Sequence, residues 1–159
     1  MEIRPIRPSD HRPVISVIDG WWGGRHVADM LPRLFFEHFT DTSFAAERDG
    51  RLAGFLVGLT SQSRPGEAYI HFVGIHPDER GRGLGRRLYE RFFAVVRARG
   101  CDVVRAVTSP VNQDSVAFHR RMGFEVEQGD TQAGGVPVTA GYDGGGEDRV
   151  RFVKRLPSS

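Results

Sequence analysis

The sequence contains one cysteine, Cys101, and one lysine, Lys154, and it has no long run of apolar residues. A single cysteine excludes an internal disulfide and any cysteine-based zinc cluster. No apolar stretch approaches the roughly 18 residues that a membrane-spanning helix needs. The charged start of the chain, residues 1–5, is unlike a signal peptide. We therefore expect a cytoplasmic protein without a membrane partner.

The sequence has no large excess of positive or negative charge: it contains 22 basic and 20 acidic residues, for a net charge of +2. So small a net charge argues against a nucleic-acid partner, although arginines cluster in residues 80–91. The histidines show no metal-ligand spacing, so we expect no metal site. With 159 residues, 39% of them hydrophobic, the chain is predicted to form a single domain over residues 1–159.

Two periods of apolar residues predict the elements of the fold. Alternation predicts strands over residues 2–7, 43–47, 51–59, 67–75, 103–108, 124–127 and 149–155. The helical period predicts helices over residues 10–19, 27–39, 83–99 and 112–122. The predicted fold class is α/β (α+β in some schemes), with a mixed, mostly antiparallel central sheet of about seven strands flanked by about four helices. The glycine-rich residues 129–146 are predicted to form a long mobile loop.

The stretch from Val73 to Arg87 places a predicted strand, a loop rich in glycine and arginine, and the start of a helix in direct succession. Successive backbone N–H groups and a helix N-terminus form a site for an anion such as phosphate, and arginines add charge-assisted hydrogen bonds. A Walker loop fits poorly because no Lys-Ser/Thr pair follows the last glycine, and Gly-x-Gly-x-x-Gly is not met. The pattern that fits is Arg-x-x-Gly-x-Gly, formed by Arg80, Gly83 and Gly85.

Two further segments accompany this pattern. The strand before the loop ends in Val73-Gly74-Ile75-His76-Pro77, and a later helical segment, residues 112–124, begins with asparagine and closes with Gly-Phe. With these segments, and with the order of predicted elements along nearly the whole chain, the sequence resembles the GNAT superfamily of acyl-CoA-dependent N-acetyltransferases. The resemblance implies acetyl-CoA as the acyl donor and a primary amine of a small molecule or a peptide as the acceptor.

The resemblance also implies where acetyl-CoA binds. The fourth and fifth strands, residues 67–75 and 103–108, are expected to splay apart, with the pantetheine arm between them. The main chain that leads into the following helix is expected to hold the diphosphate, and the later helix to flank the cofactor on its other side. The implied cofactor-binding residues are Val73, Gly74, Ile75, Arg80, Gly81, Arg82, Gly83, Leu84, Gly85, Arg86, Asn112, Ser115 and Phe118.

In this family a neutral amine attacks the thioester directly, a backbone N–H stabilises the oxyanion, and the departing thiolate benefits from a proton. The resemblance implies that the N–H donor lies within residues 73–75. The family often has a tyrosine as the general acid one residue after the position of Phe118, where this chain has His119. His119 is therefore a candidate acid. The alternative is that it only binds near the sulfur or packs at the helix surface.

Candidates for the general base lie on the fourth strand. Regular alternation places one set of side chains on a single face of that strand, namely Glu67, Tyr69, His71, Val73 and Ile75. Glu67 and His71 can each take a proton from the acceptor, directly or through water. We favour His71 because it lies closer to the expected thioester; the alternative is a half-buried histidine of the sheet.

The acceptor pocket is implied to involve the first two helices, the loop between them and the late hairpin. Trp21 and Trp22 are candidates for an aromatic wall, and the alternative is that at least one is a core or dimer contact. A homodimer is thus a further possibility. Two other functions are open: a non-catalytic domain that binds or senses acyl-CoA, and a nucleic-acid-binding module that uses residues 80–91.

Overall fold

A seven-stranded sheet forms the centre of the protein, described here by a computed structural model of residues 1–157; the last two residues of the predicted domain, 158–159, lie outside this range. The strands are β1 (Glu2–Pro5), β2 (Phe44–Arg48), β3 (Arg51–Thr60), β4 (Glu67–Ile75), β5 (Val103–Thr108), β6 (Glu125–Val126), β7 (Thr131–Ala133), β8 (Val136–Val138) and β9 (Val150–Arg155). The central sheet has the order β1-β2-β3-β4-β5-β9-β6. Only the β4–β5 pair is parallel, so the sheet is mixed and mostly antiparallel as predicted.

Four α-helices flank this sheet, and they are α1 (His11–Trp21), α2 (Leu34–His38), α3 (Leu84–Ala98) and α4 (Gln113–Arg121). The predicted fold class is therefore confirmed. The predicted helix over residues 27–39 is wrong in its first half, where a single 3₁₀ turn, Ala28–Met30, is followed by a break. Pro32 causes the break because it disfavours helical geometry in the residue before it. Within the described residues, no helix has both the length and the apolarity that crossing a bilayer requires.

The two faces of the sheet carry separate apolar clusters. On one face, α3 buries Leu88, Phe92 and Val96 completely against the strands. On the other face, α1 buries Val14 and Ile18 against β2, β3 and β4. Each such side chain contributes about 1.5–3 kcal/mol when it leaves water. The two clusters hold the strands on which the candidate site is built.

The parallel pair β4–β5 is joined only in its first half. Pairing runs from Glu67 opposite Val103 to Ile70 opposite Ala106, and the last five residues of β4 have no partner in β5. The two strands therefore separate towards their carboxyl ends, as the resemblance implied. A gap opens between the second half of β4 and the end of β5.

A β-bulge in β4 lies where this gap begins. Val57 of β3 pairs with Phe72 and the next residue, Gly58, pairs with Ile70, so that His71 is the extra residue. A bulge resets the alternation of side chains along a strand. The expectation of one shared face for Glu67, Tyr69, His71, Val73 and Ile75 is therefore wrong, because Val73 and Ile75 pack with the α3 cluster whereas His71 contacts Phe35 on the α1–α2 side.

The glycine-rich residues 129–146 differ from the predicted mobile loop, since they contain the hairpin β7–β8 and a compact turn. Arg149 anchors that turn through ion pairs with Asp143, at 2.8 Å, and Glu147, at 3.2 Å. Further hydrogen bonds run from the backbone N–H groups of Ala140 and Gly141 to aspartate side chains. Ion pairs and hydrogen bonds of these side chains thus hold the segment, and its amino-acid composition alone does not predict them.

Candidate active site

Main-chain groups of Val73 and Ile75 face the gap between β4 and β5. The N–H of His76 donates to the carbonyl of Ala53 in β3 at 2.8 Å. In the antiparallel register every second residue points the same way, so the main-chain groups of Phe72 and Gly74 also bond to β3. By alternation, the N–H and C=O groups of Val73 and Ile75 point the other way. Because no β5 residue pairs there, both groups of Val73 and the N–H of Ile75 are available to an extended ligand that inserts like a strand, whereas the carbonyl of Ile75 accepts from the Nε of Arg80 at 3.3 Å.

The loop between β4 and α3 leaves open space beside two glycines at the N-terminus of α3. Gly81 and Gly83 both have positive φ, of 75° and 81°, and no atom lies within 4 Å of the position that a Cβ would take on either. Left-handed geometry turns successive N–H groups to one side, and the helix N-terminus adds partial positive charge. The residues present therefore fit a diphosphate group such as that of acetyl-CoA.

The other residues predicted around this loop divide into exposed cations and packing positions. Arg82 and Arg86 are exposed, and Arg86 lies 3.7 Å from Glu90 on the next turn of α3. The Arg80 side chain turns away from the loop and donates to the carbonyls of Trp21 and Ile75, so only its main chain remains a candidate for the diphosphate. Leu84 is buried in the α3 cluster.

Two of the predicted cofactor-binding glycines meet protein on the side where a Cβ would lie. A Cβ on Gly74 would lie 2.5 Å from the Phe55 ring, on the α1 side of the sheet. A Cβ on Gly85 would lie 3.3 Å from the Phe118 ring, so Gly85 lets α3 approach α4 closely. Phe118 in turn packs edge-on against Tyr89, with ring centroids 5.0 Å apart. These glycines are required by packing whatever their backbones bind.

An ion pair between the exposed Arg48 and the buried Glu79 supports the loop, and no local sequence pattern predicts it. Glu79 accepts from the Nε of Arg48 at 2.9 Å, which ties the end of β2 to the segment before Gly81. The hydrogen bond from Arg48 holds the pKa of the Glu79 carboxyl below its ordinary value. The two residues are 31 positions apart in the chain, so only the three-dimensional arrangement reveals the pair.

His71, the bulge residue, is fixed by two contacts with the segment that follows α1. Its Nε2 lies 2.5 Å from the carbonyl oxygen of Met30, and its ring stacks on Phe35 with centroids 4.3 Å apart and planes 14° apart. A carbonyl only accepts, so Nε2 carries the hydrogen and the lone pair of the neutral ring lies on Nδ1. The Nδ1 of His71 is therefore free of the Met30 contact, and His71 is the first residue of β4 beyond its pairing with β5.

Glu67, the second predicted base, is engaged elsewhere. Its carboxylate accepts from the Nε of Arg105 at 2.7 Å, and Arg105 also pairs with Glu127. Arg151 completes this charged network at 3.1 Å from Glu127. Glu67 lies at the paired end of β4, opposite Val103, whereas the gap begins beyond Ile70. The structure does not bring Glu67 together with His71.

His119, the predicted acid, lies in the core with only 5% of its surface exposed. Its Nδ1–H donates to the carbonyl of Ser115 at 2.8 Å, and its Nε2 accepts from the hydroxyl of Tyr89 at 2.8 Å. The ring stacks on Phe152 with centroids 4.2 Å apart. Desolvation by burial lowers the pKa of His119 to about 4, so the ring is uncharged at neutral pH. These surroundings disagree with an imidazolium acid, and burial also disagrees with the part of the alternative that placed His119 at the helix surface.

The neutral state of His119 predicts a pH dependence of stability. In the unfolded chain the histidine pKa is near 6.5, and in the folded chain it is about 4, so only the unfolded state gains the proton between these values. Stability is therefore complete above about pH 6.5 and falls as the pH drops towards 4, by about 3 kcal/mol in all. Urea unfolding at pH 7.5 and pH 5 should show a smaller loss in His119→Gln than in the wild type. Equal losses in both proteins would contradict the assignment.

Asn112 and Ser115 form the N-terminal cap of α4. The Oδ1 of Asn112 accepts from the N–H of Ser115 at 3.1 Å, and this satisfies a backbone donor of the first turn. The Ser115 hydroxyl lies 3.3 Å from Nδ1 of His119. Both residues thus have a local structural role, which leaves their predicted cofactor contacts as expectations.

The tryptophan pair predicted for the acceptor pocket belongs largely to the α1 cluster. Trp21 is buried and packs near Phe55 and His76, with centroids 6.4 Å and 5.4 Å from its own. Trp22 is half-buried, and its ring lies 5.1 Å from that of Phe72. The alternative of a core contact therefore describes Trp21, while part of Trp22 remains accessible.

Tyr69 and the tip of the turn before β9 lie on the same side of the sheet as His71. Burial, together with the nearby Tyr142 and Asp143, raises the pKa of Tyr69 to about 12, so its phenol stays protonated. Tyr142 is exposed, and the Arg151 guanidinium lies 5.2 Å from its ring centroid. Neither tyrosine was predicted to have a role in the site. Within residues 1–157, no group of three or more His, Cys, Asp or Glu side chains is arranged to hold a metal ion.

Comparisons with known proteins agree with this geometry. An acetyltransferase designated ECA0875 from Pectobacterium atrosepticum is 30% identical over 134 residues, which cover 79% of this chain and 88% of the relative. The L-2,4-diaminobutyric acid acetyltransferase of Nocardia farcinica is 32% identical over 97 residues, which cover 58% of this chain but only 50% of that enzyme.

Solved structures give the same fold. The structure of yncA from Salmonella typhimurium with its cofactor acetyl-CoA superposes with a TM-score of 0.71 at 20% identity, over 100% of this chain and 95% of the other. A sequence profile of the acetyltransferase (GNAT) family matches residues 13–124, which include β4, the Arg-x-x-Gly-x-Gly loop and α4. The chain therefore belongs to the GNAT family of acetyltransferases.

Proposed function

We propose that this protein transfers the acetyl group of acetyl-CoA to a primary amine. The observation that carries the proposal is that the unpaired second half of β4, beyond Ile70, leads along the chain into the loop with open space at Gly81 and Gly83. The unpaired N–H groups beside the gap suit the amides of a pantetheine arm, and the loop suits the diphosphate.

When bound, acetyl-CoA supplies a thioester whose C–S bond is replaced by a C–N bond, while one amine proton passes to the sulfur. The main-chain N–H groups of Val73 and Ile75 are the candidates to donate to the carbonyl oxygen as negative charge develops there, because they alone in this half of β4 face the gap. Such preorganised donors stabilise the transition state without reorganising during the reaction.

His71 is the proposed general base. An ammonium must lose a proton before it attacks, and Nδ1 of His71 can accept that proton directly or through one water. Glu67 is paired with Arg105 and Tyr69 keeps its proton, which leaves His71 as the favoured group on this face. His119 and Tyr89 hold each other in the core and stabilise the packing of α3 against α4.

The acceptor is proposed to be a small primary amine or the amino terminus of a peptide. The diaminobutyric acid acetyltransferase relative supports the first, and the half-exposed aromatic surface of Trp22 and the exposed Tyr142 suit either.

The test is thiol release from acetyl-CoA in the presence of a panel of amines. The panel contains 2,4-diaminobutyrate, aliphatic monoamines and a short peptide with a free amino terminus. At least one of them is expected to release thiol well above the rate of spontaneous hydrolysis and to give a product heavier by one acetyl group. Binding of acetyl-CoA in a calorimeter without transfer to any amine would instead indicate a domain that senses acyl-CoA.

A further inference from the structure

We infer that Phe35 and the main-chain carbonyl of Met30 position His71, by holding its ring in the orientation and tautomer that leave Nδ1 free towards the acceptor. The inference rests on the proposed function, in which His71 accepts the proton of the amine. Phe35 and Met30 touch His71 and are not expected to touch the reacting atoms, so their role is positioning.

The contact with Met30 selects the tautomer. Neutral imidazole carries its hydrogen on one nitrogen only, and the carbonyl at 2.5 Å requires that nitrogen to be Nε2. Among residues 1–157, no protein group forms a hydrogen bond with Nδ1 of His71. A ring flip would place carbon against the Met30 oxygen and would lose the hydrogen bond, so the orientation and the tautomer are fixed together.

The contact with Phe35 restricts the plane of the ring. The two rings lie nearly parallel, 14° apart, at a centroid distance of 4.3 Å, whereas the next aromatic neighbour of His71, Phe72, is 6.4 Å away and tilted by 52°. Stacking on one face and a hydrogen bond at one edge together restrain rotation about both side-chain torsions. The extra residue of a β-bulge is not paired in the strand ladder, so the ladder itself does not restrain the His71 side chain in this way.

The Met30 carbonyl is itself held in place. The Oδ1 of Asp19, at the end of α1, accepts from the N–H groups of Val27 and Ala28 at 2.8 Å and 2.9 Å. The N–H of Met30 then donates to the carbonyl of Val27 at 3.0 Å and closes the 3₁₀ turn. These three hydrogen bonds fix the carbonyl of Met30 as the acceptor for His71, which lies 41 positions further along the chain.

Substitution of Phe35 separates positioning from folding. Phe35→Leu is expected to lower kcat about tenfold, because small misplacements of a catalytic group cost that much or more, while the KM for acetyl-CoA stays within about twofold. Phe35→Tyr keeps the stacked ring and is expected to retain wild-type kcat. Phe39→Leu is the matched control, because Phe39 is also half-buried and its ring lies 5.5 Å from that of Phe35, tilted by 35°, with no aromatic contact to His71.

A second measurement does not depend on activity or on a variant. Nitrogen-15 chemical shifts of the His71 ring in the wild-type protein, above the pKa of histidine, should show hydrogen on Nε2 and a bare Nδ1. The opposite pattern, or rapid exchange between the two tautomers, would overturn the inference even if Phe35→Leu failed to fold.

The outcomes distinguish this inference from the function on which it rests. If amine acetylation occurs but Phe35→Leu turns over like Phe39→Leu, the positioning role is wrong and the proposed function stands. If the wild-type protein acetylates no amine, the proposed function fails and the inference fails with it. A selective loss of kcat in Phe35→Leu, restored in Phe35→Tyr, supports both.

Discussion

The double variant Arg82→Glu/Gly83→Glu is expected to bind acetyl-CoA about 1,000-fold more weakly than the wild-type protein. It places two carboxylates on the loop where the diphosphate is proposed to bind, and it removes one cation. Like charges in contact cost several kcal/mol, and each 1.4 kcal/mol is a factor of ten in affinity. Isothermal titration calorimetry with acetyl-CoA and with CoA measures the loss, which should be the same for both ligands because they share the diphosphate.

The control for this variant is Gly100→Glu. Gly100 also has positive φ, of 91°, and also has no atom within 4 Å of a Cβ, but it lies beyond the opposite end of α3. Its substitution therefore introduces the same kind of backbone strain, about 1–2 kcal/mol, without touching the proposed diphosphate site. Both variants should melt at similarly lowered temperatures, and only the double variant should lose the ligand. Affinity within threefold of wild type in the double variant would remove the diphosphate from this loop.

Replacement of His71 by glutamine is expected to lower kcat about 100-fold, with little change in the affinity for acetyl-CoA. Glutamine keeps a donor for the Met30 carbonyl and comparable bulk, but it has no nitrogen that accepts a proton near neutral pH. General bases contribute about 100-fold to 10,000-fold to a rate, and water in an open site replaces part of that. Stopped assays of thiol release at saturating acetyl-CoA measure the change.

The matched variant is His38→Gln, since His38 is an exposed histidine of α2 that makes no contact with the gap. It should leave both kinetic constants unchanged. The His71→Gln variant should also recover activity at high pH, where the acceptor is already deprotonated in solution and needs no base. A variant with wild-type kcat at pH 7 would show that another group, or none, takes the proton.

Much of the fold could be predicted from the sequence, because the local pattern of apolar and turn residues agrees with the way the elements pack. The boundaries of β4 and β5 were predicted to the residue, since apolar and β-branched side chains alternate between clear turn residues. Asp49 and Gly50, both with positive φ, make the tight hairpin that an Asp-Gly pair indicates. The prediction of the second helix was wrong before Pro32. The apolar residues there recur with a helical period, but proline does not allow the helix to continue through that position.

The candidate site was predicted less completely, for two physical reasons. The bulge at His71 arises from the pairing of β4 with β3, so nothing within β4 itself marks the change of face between His71 and Val73. The pairing of His119 with Tyr89 joins α4 to α3 across 30 positions, and only the packed helices show that the ring is enclosed. The loop of glycines and arginines, by contrast, is a contiguous motif that the sequence itself displays, and two of its glycines, Gly81 and Gly83, have positive φ in the structure.

The order of the central sheet has a consequence for how the ligand gap is made. β9 lies between β5 and β6, so the outer edge of β5 stays unpaired until the final strand of the sheet has left the ribosome. Until then β5 is an open edge, the kind of surface at which chains join wrongly. One wall of the gap thus depends on the last part of the fold to be synthesised, and a nascent chain that stalls before Val150 exposes that wall to other strands.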